Sequence, residues 1–290
     1  MIMKTNYLTV LIISTVLSFN ALADVPSCGE NCTYTLTENG VDAKGNKTYT
    51  VTVEPIDISQ PASVSNYSRY GHEANETDTN YAPWRFENIT EVEIKEGIKT
   101  IGCYAFADIA SITSVQLPEG LEAIGLSGFN GTKITSLDLP STIISIEDYA
   151  FSTAPIENIN GLPDGIQSIG SRAFHGSKFK ELVIPESVTS LSEAAFGDEA
   201  YHSALIENLY CAESMIAQCG AALQWRKDMG ATVSVIPYQK TSDGQIFYNN
   251  KWYKSANDIL SGDYTKKRIY TIDEASKVSG KKNSVMIRYK

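Results

Sequence analysis

Between residues 84 and 211 the apolar positions recur with a long period. Phe106, Phe129, Phe151, Phe174 and Phe196 are spaced by 23, 22, 23 and 22 residues, and Pro118, Pro140, Pro163 and Pro185 by 22, 23 and 22. Two markers of different chemistry share one period, so the segment is a tandem repeat. A unit this short cannot bury enough apolar surface to offset the ordering of its own backbone. Each unit must therefore stack on its neighbours.

Within a unit the pattern predicts two walls around one core. Ile112, Val115 and Leu117 correspond to Ile134, Leu137 and Leu139, and to Phe179, Leu182 and Ile184. The last two of each set alternate with period two, as a short strand requires, and the proline that follows withholds a backbone donor and ends it. Ile89, Val92 and Ile94 predict an earlier strand of the same kind, and Ile206, Leu209 and Cys211 a later one. Ile101, Ile124, Ile146, Ile169 and Leu191 form the second wall, and the phenylalanine column fills the gap between the walls. Gly102, Gly125 and Gly170 are read as tight-turn residues, His175 as an exposed turn residue, and the extra Gly161 as a bulge.

The polar positions that alternate with the inward ones predict an outward face. It carries Glu91 and Glu93, Ser114 and Gln116, Ser136 and Asp138, Asn158 and Asn160, Glu181 and Val183, and Asn208 and Tyr210. These side chains are mostly short, polar and mildly acidic, and the face lacks the aromatic and Arg anchors expected of a strong protein hot spot. The face suits a ligand held by many weak contacts, and a purely solvated surface is the bland alternative.

A period in this range with a strand-like leucine pattern is that of a leucine-rich repeat. The expected fold is a β-rich, right-handed leucine-rich-repeat solenoid with an N-terminal β cap, a C-terminal capping helix and a small α+β tail module. Residues 1–23 read as a secretory signal, with a short apolar run and a small-residue site before Asp24. Cleavage is expected after Ala23. Residues 24–83 are read as the cap and a polar loop, and 84–211 as about five coils. Residues 212–242 are read as a capping helix stopped by Gly230 and a strand, and 243–290 as a β-hairpin around Asn249–Asn250 followed by strand, helix and strand.

The coils, whose pattern runs roughly "L..IG..AF.....L..L.LP", resemble the BspA-like, or treponemal-type, leucine-rich repeat family. The resemblance extends upstream through "CGENCTYTLTENG", "YTVTV" and "YAPWRFENITEVEIKEGIKTIG", with Tyr34 standing where the family usually has Trp. It implies a secreted, periplasmic or cell-surface protein, and an adhesin-like role toward extracellular protein or glycan ligands.

Charge narrows the partners further. The chain carries a formal −10, which opposes binding to nucleic acid or anionic membranes. The charge is uneven: residues 243–290 hold ten Lys or Arg against five Asp or Glu. That basic segment suggests the alternative of a structural envelope protein retained through its C-terminal module. No span long enough for a transmembrane segment follows the leader.

Five cysteines leave one unpaired. Cys28 and Cys32 are candidates across the cap turn. Cys211 lies in an inward column, and Met215, Cys219 and Leu223 share a helix face directed at it, so Cys211 and Cys219 are a second candidate pair. Buried free thiols are the alternative in each case. His72, His175 and His202 are the only histidines, and neither HExxH nor GxSxG occurs. No catalytic residue, metal ligand or cofactor is expected, and an enzyme is disfavoured.

Overall fold

The computed structural model describes residues 26–68, 80–198, 205–240, 244–249 and 251–262. The leader and the strands and helix expected beyond residue 262 lie outside the described residues.

The N-terminal strands are β1 (Ser27–Glu30), β2 (Cys32–Val41), β3 (Lys47–Pro55) and β4 (Ala62–Val64). The coils supply β5 (Ile89–Ile94), β6 (Ile98–Ile101), β7 (Ser114–Gln116), β8 (Ala123–Ile124), β9 (Ser136–Leu137) and β10 (Ser145–Ile146). They continue with β11 (Asn158–Ile159), β12 (Ser168–Ile169), β13 (Glu181–Ile184), β14 (Ser190–Leu191) and β15 (Asn208–Ala212). Helices α1 (Ile216–Ala222) and α2 (Gln224–Asp228) follow, then β16 (Ser234–Lys240), β17 (Ile246–Tyr248), β18 (Lys251–Tyr253) and α3 (Asp258–Ser261).

Odd-numbered strands from β5 to β15 line one wall and even-numbered strands from β6 to β14 the other. The second wall is in strict parallel register, Ile101 opposite Ile124, then Ile146, Ile169 and Leu191. Both walls grow from the N-terminal strands, because β3 pairs in parallel with β5 while β4 pairs in parallel with β6. Antiparallel pairing of β1 with β2 and β4, and of β2 with β3, joins them into one eleven-stranded sheet. The first wall is interrupted on either side of the β9–β11 pair and resumes as a five-stranded sheet, β13-β15-β16-β17-β18.

The five phenylalanines are all fully buried and stack on one another, the ring centroids 5.0 to 6.4 Å apart and the planes within 18°. Trp84 is a further rung, stacked on Phe106 at 5.0 Å and donating its Nε1 hydrogen to the Ala105 carbonyl at 2.9 Å. Tyr34 and Tyr67 close the column edge-on against Trp84.

The three glycines serve a different purpose from the one expected. None of Gly102, Gly125 and Gly170 has a left-handed backbone. A Cβ at Gly102 would sit 2.0 Å from the Ser65 carbonyl oxygen, and one at Gly170 would sit 2.5 Å from the Asp148 nitrogen. They are small because neighbouring coils approach there. The left-handed turn is taken two residues later by Tyr104, Ser127, Tyr149 and Arg172, with φ between 55° and 58°. Gly161 does have a left-handed backbone, φ 107°.

His175 is buried, 6% exposed, and its Nδ1 lies 3.2 Å from the Oγ of Ser152, which is equally buried. Its column turns inward against the preceding coil, which corrects the reading of an exposed turn. The single helix expected after Cys211 is a 3-10 turn and two short helices, broken at Leu223 (φ −106°, ψ 0°), so that Leu223 and Trp225 both reach the core.

Cys28 and Cys32 form a disulfide with Cα atoms 5.3 Å apart. The proposed Cys211–Cys219 bond is absent, a second correction. Both are buried thiols, joined by a hydrogen bond that raises the Cys219 thiol and lowers that of Cys211. A Cys219 thiol donating to the Cys211 sulfur accounts for both directions.

Two outcomes follow from this packing. Phe151→Ala removes a fully buried ring with neighbours on both faces and should cost about 3–5 kcal/mol in urea unfolding; a loss below about 1 kcal/mol would contradict the ring column. Thiol titration of the denatured, unreduced chain should return three thiols, from Cys103, Cys211 and Cys219. A single thiol would show that the second pair had closed.

Candidate functional site

The outward row begins one strand earlier than the coils. Thr50 lies opposite Glu91, and Glu91 opposite Ser114; Thr52 lies opposite Glu93, and Glu93 opposite Gln116. Further along, Ser136 faces Asn158, Glu181 faces Asn208, and Asn208 faces Ser234. Backbone bonds between coils carry the row across the breaks in the sheet, Lys133 N–H to Ile112 at 2.7 Å and Phe179 N–H to Ile156 at 3.0 Å. One line of polar side chains therefore runs from β3 to β16.

Thr50 and Thr52 were missed by the sequence reading. Their signal was the alternation in "KTYTVTVEP", where Val51 and Val53 are fully buried and the threonines between them point the other way.

The two ends of the face differ from its middle. At the first end Thr50 donates to Glu91 at 2.9 Å and Thr52 to Glu93 at 3.2 Å, while Lys95 pairs with Glu93 and holds its carboxyl below the ordinary range. At the other end Asn208 donates to Glu181 at 2.8 Å. Between them Ser114, Gln116, Ser136, Asp138 and Asn158 are all exposed. No hydrogen bond or ion pair engages their side chains among the described residues. Asn160 is turned to another use, its amide accepting from Leu139 N–H at 3.0 Å and donating to the Leu139 carbonyl at 3.3 Å.

Val183 is a correction. It was expected on the open face but is completely buried, in a second apolar cluster with Ala212, Tyr238, Ile246, Tyr253, Ala256 and Ile259. The chain's own C-terminal residues cover it. The β17–β18 hairpin, turning at the left-handed Asn249, extends the sheet from β16. The segment carrying α3 then folds back over β13, where Asn257 donates to the Leu162 carbonyl at 2.9 Å. Gly161 is required beneath it, since a Cβ there would lie 2.6 Å from the Asn257 side chain. Tyr238 is anchored within this cluster by donating to the Ile184 carbonyl at 3.0 Å.

Tyr210 stands where the polar row meets this cover. Its ring meets that of Tyr248 edge-on at 5.5 Å. Burial is the main cause that pushes its phenol up to about 12, with the nearby Glu181 charge adding to it.

Two Asn-x-Ser/Thr positions have their asparagine buried or hydrogen-bonded in the folded chain. Asn130 is buried, and the Asn31 amide donates to the Asp57 and Gln60 carbonyls at 2.7 and 3.1 Å. Among the described residues no cluster of His, Cys, Asp and Glu could hold a metal ion, and no helix is long and apolar enough to cross a membrane.

Comparison with known proteins agrees with the stacked coils. A model of the BspA type leucine rich repeat region matches residues 80–202 in six copies. The repeat region belongs to that family. Among solved structures, a leucine-rich repeat protein from Eubacterium ventriosum superposes with a TM-score of 0.50 at 21% identity, over 65% of this chain and 44% of its own. A leucine rich cell surface protein from Faecalibacterium prausnitzii matches with a TM-score of 0.37 at 15% identity, over 77% and 61% of the two chains. The leucine rich repeat protein of T. pallidum matches at 0.28 and 17% identity, over 61% and 68%. The chain thus spans less than half the length of the E. ventriosum protein and about three-fifths of the F. prausnitzii one. No curated protein sequence matches it.

The cover over Val183 has a pH signature. A phenol raised in the folded state contributes stability that is intact below its ordinary value near 10 and is lost as the pH climbs toward the folded value of about 12. Tyr238 is shifted in the same direction by burial. Alkaline titration should therefore loosen the C-terminal cover between pH 10 and about 12, read as late ionisation of two tyrosines by tyrosinate absorbance. Replacing both with Phe should remove their share of the late ionisation and leave that of Tyr67, whose phenol burial also pushes up to about 12.

Proposed function

We propose that this is an exported or surface-exposed, adhesin-like binding protein that recognises protein or glycan ligands through the outward face of its first wall. The observation that carries the reading is the run of exposed, unpartnered polar side chains, Ser114, Gln116, Ser136, Asp138 and Asn158, on three consecutive coils. A rigid sheet face with free donors and acceptors at each rung binds by summing weak contacts. The family supports the reading, since BspA-type repeats are a surface and protein-binding type. The N-terminal leader supports the export half of it, with cleavage after Ala23. The role is binding, without catalysis.

Retention in an envelope through residues 243–290 is the second reading, favoured by the basic balance of that segment. Its first part is already engaged in covering Val183, which leaves this role to the remainder.

Binding of the mature chain to immobilised extracellular matrix proteins and to intact cells tests the proposal. Ser136→Lys with Asn158→Lys should weaken it at least tenfold, about 1.4 kcal/mol or more. The same charges at Gln167 and Thr189, exposed on the second wall, should leave it unchanged. Equal loss from both pairs, or no binding by the parent chain, would overturn the assignment of the face.

A further inference from the structure

The outward face ends in a corner of different chemistry from its middle, and that corner points to a class of ligand. Tyr210 and Tyr248 are half-buried, their rings perpendicular at 5.5 Å, so they form an angled aromatic wall at the edge of the polar row. Glu181 and Tyr248 lie close enough to the Tyr210 phenol to add to the upward shift that burial gives it. Glu181 in turn accepts from the Asn208 amide at 2.8 Å. Two rings, a carboxylate and an amide thus lie together at one corner, the rings packed edge-on and the carboxylate held by the amide.

We propose that this corner is a sugar-binding subsite and that a neutral, linear oligosaccharide extends from it along Asn158, Ser136 and Asp138. The proposal rests on the reading of the outward face as the binding face and assigns it a ligand class. Four features of the site support it. A pyranose ring has an apolar C–H face and a polar rim, which suits an aromatic wall flanked by a carboxylate and an amide. Successive rungs lie about 4.8 Å apart, close to the advance of one sugar in an extended chain, so each sugar meets one polar side chain. The side chains along the row are short hydroxyl, amide and carboxylate groups matched to vicinal hydroxyls, and the Trp and Arg anchors of a protein hot spot are absent from it. The carboxylates of Asp138 and Glu181, with no cation of the face bound to either among the described residues, select against sulfated or uronic-acid glycans.

Isothermal titration of the full mature chain with tetramers of β-1,4-linked glucose, α-1,4-linked glucose and β-1,4-linked N-acetylglucosamine tests this, with a heparin fragment as the anionic probe. At least one neutral tetramer should bind, and heparin should not. Tyr248→Ala should weaken the neutral ligand roughly tenfold or more. Glu181→Gln, which keeps the shape of the side chain and needs no refolding of the hairpin, should weaken it severalfold. If Tyr248→Ala lowers the thermal midpoint, the Glu181→Gln result decides. Failure of all three neutral tetramers to bind, preference for heparin, or unchanged affinity in Glu181→Gln overturns the subsite. The same preparations assayed on immobilised matrix proteins separate the two ideas. Protein binding lost in the Ser136→Lys, Asn158→Lys variant but kept in Tyr248→Ala, with no tetramer bound, would leave the binding face standing and remove the sugar.

Discussion

The fold depends on a single repeated contact, the backbone hydrogen bond from one coil to the next at the aromatic rung. Phe106, Phe129, Phe151 and Phe174 each donate their amide hydrogen to the following coil, to Gly128, Ala150, Ala173 and Ala195, at 2.8 to 3.0 Å. Those bonds set the rungs one strand spacing apart. Ring stacking at 5.0 to 6.4 Å follows from that spacing, because flat rings in register have nowhere else to go. The polar face is in turn a by-product of the same register, since fixing the inward residues of each strand fixes the alternating ones. The first end is closed by strands that donate to both walls, and Trp84 continues the aromatic column beneath them.

Repetition made the inward columns legible. Ile101, Ile124, Ile146, Ile169 and Leu191 were visible because a period of 22 or 23 residues places chemically similar residues in one column, and burial selects for that similarity. Features that happen once had no such signal. Val183 looked outward by alternation, and what buries it lies about 70 residues further along in a segment with no periodicity. Gly102 and Gly170 were legible as glycines, but their cause was not. A close approach between coils and a left-handed turn leave the same letter in the sequence, and only the position of Ser65 or Asp148 separates them. His175 was misplaced for a related reason, since a polar residue at a coil corner can point outward or back against the previous coil, where Ser152 receives it. The Cys211–Cys219 pair was correctly brought together by helix and strand periodicity, yet proximity alone does not decide between a bond and two thiols.

The candidate face divides by how its side chains are engaged. Pairs such as Thr50 with Glu91 and Asn208 with Glu181 hold the ends in fixed geometry, which lowers the entropy to be lost when a ligand arrives. The middle rungs have kept their donors and acceptors free. At the far end the face changes from polar to apolar at Val183, and the chain covers that patch itself, as an exposed apolar surface would otherwise invite association.

Because the N-terminal strands begin both walls and the described C-terminal segment rests on the coils from Gly161 onward, neither of these described ends senses how many coils lie before that point. A duplication of one 22- or 23-residue unit among the earlier coils would be joined by the same bonds on either side and would lengthen the candidate face by one step. Reach can thus change by unequal recombination of the coding repeat, with no redesign of the ends.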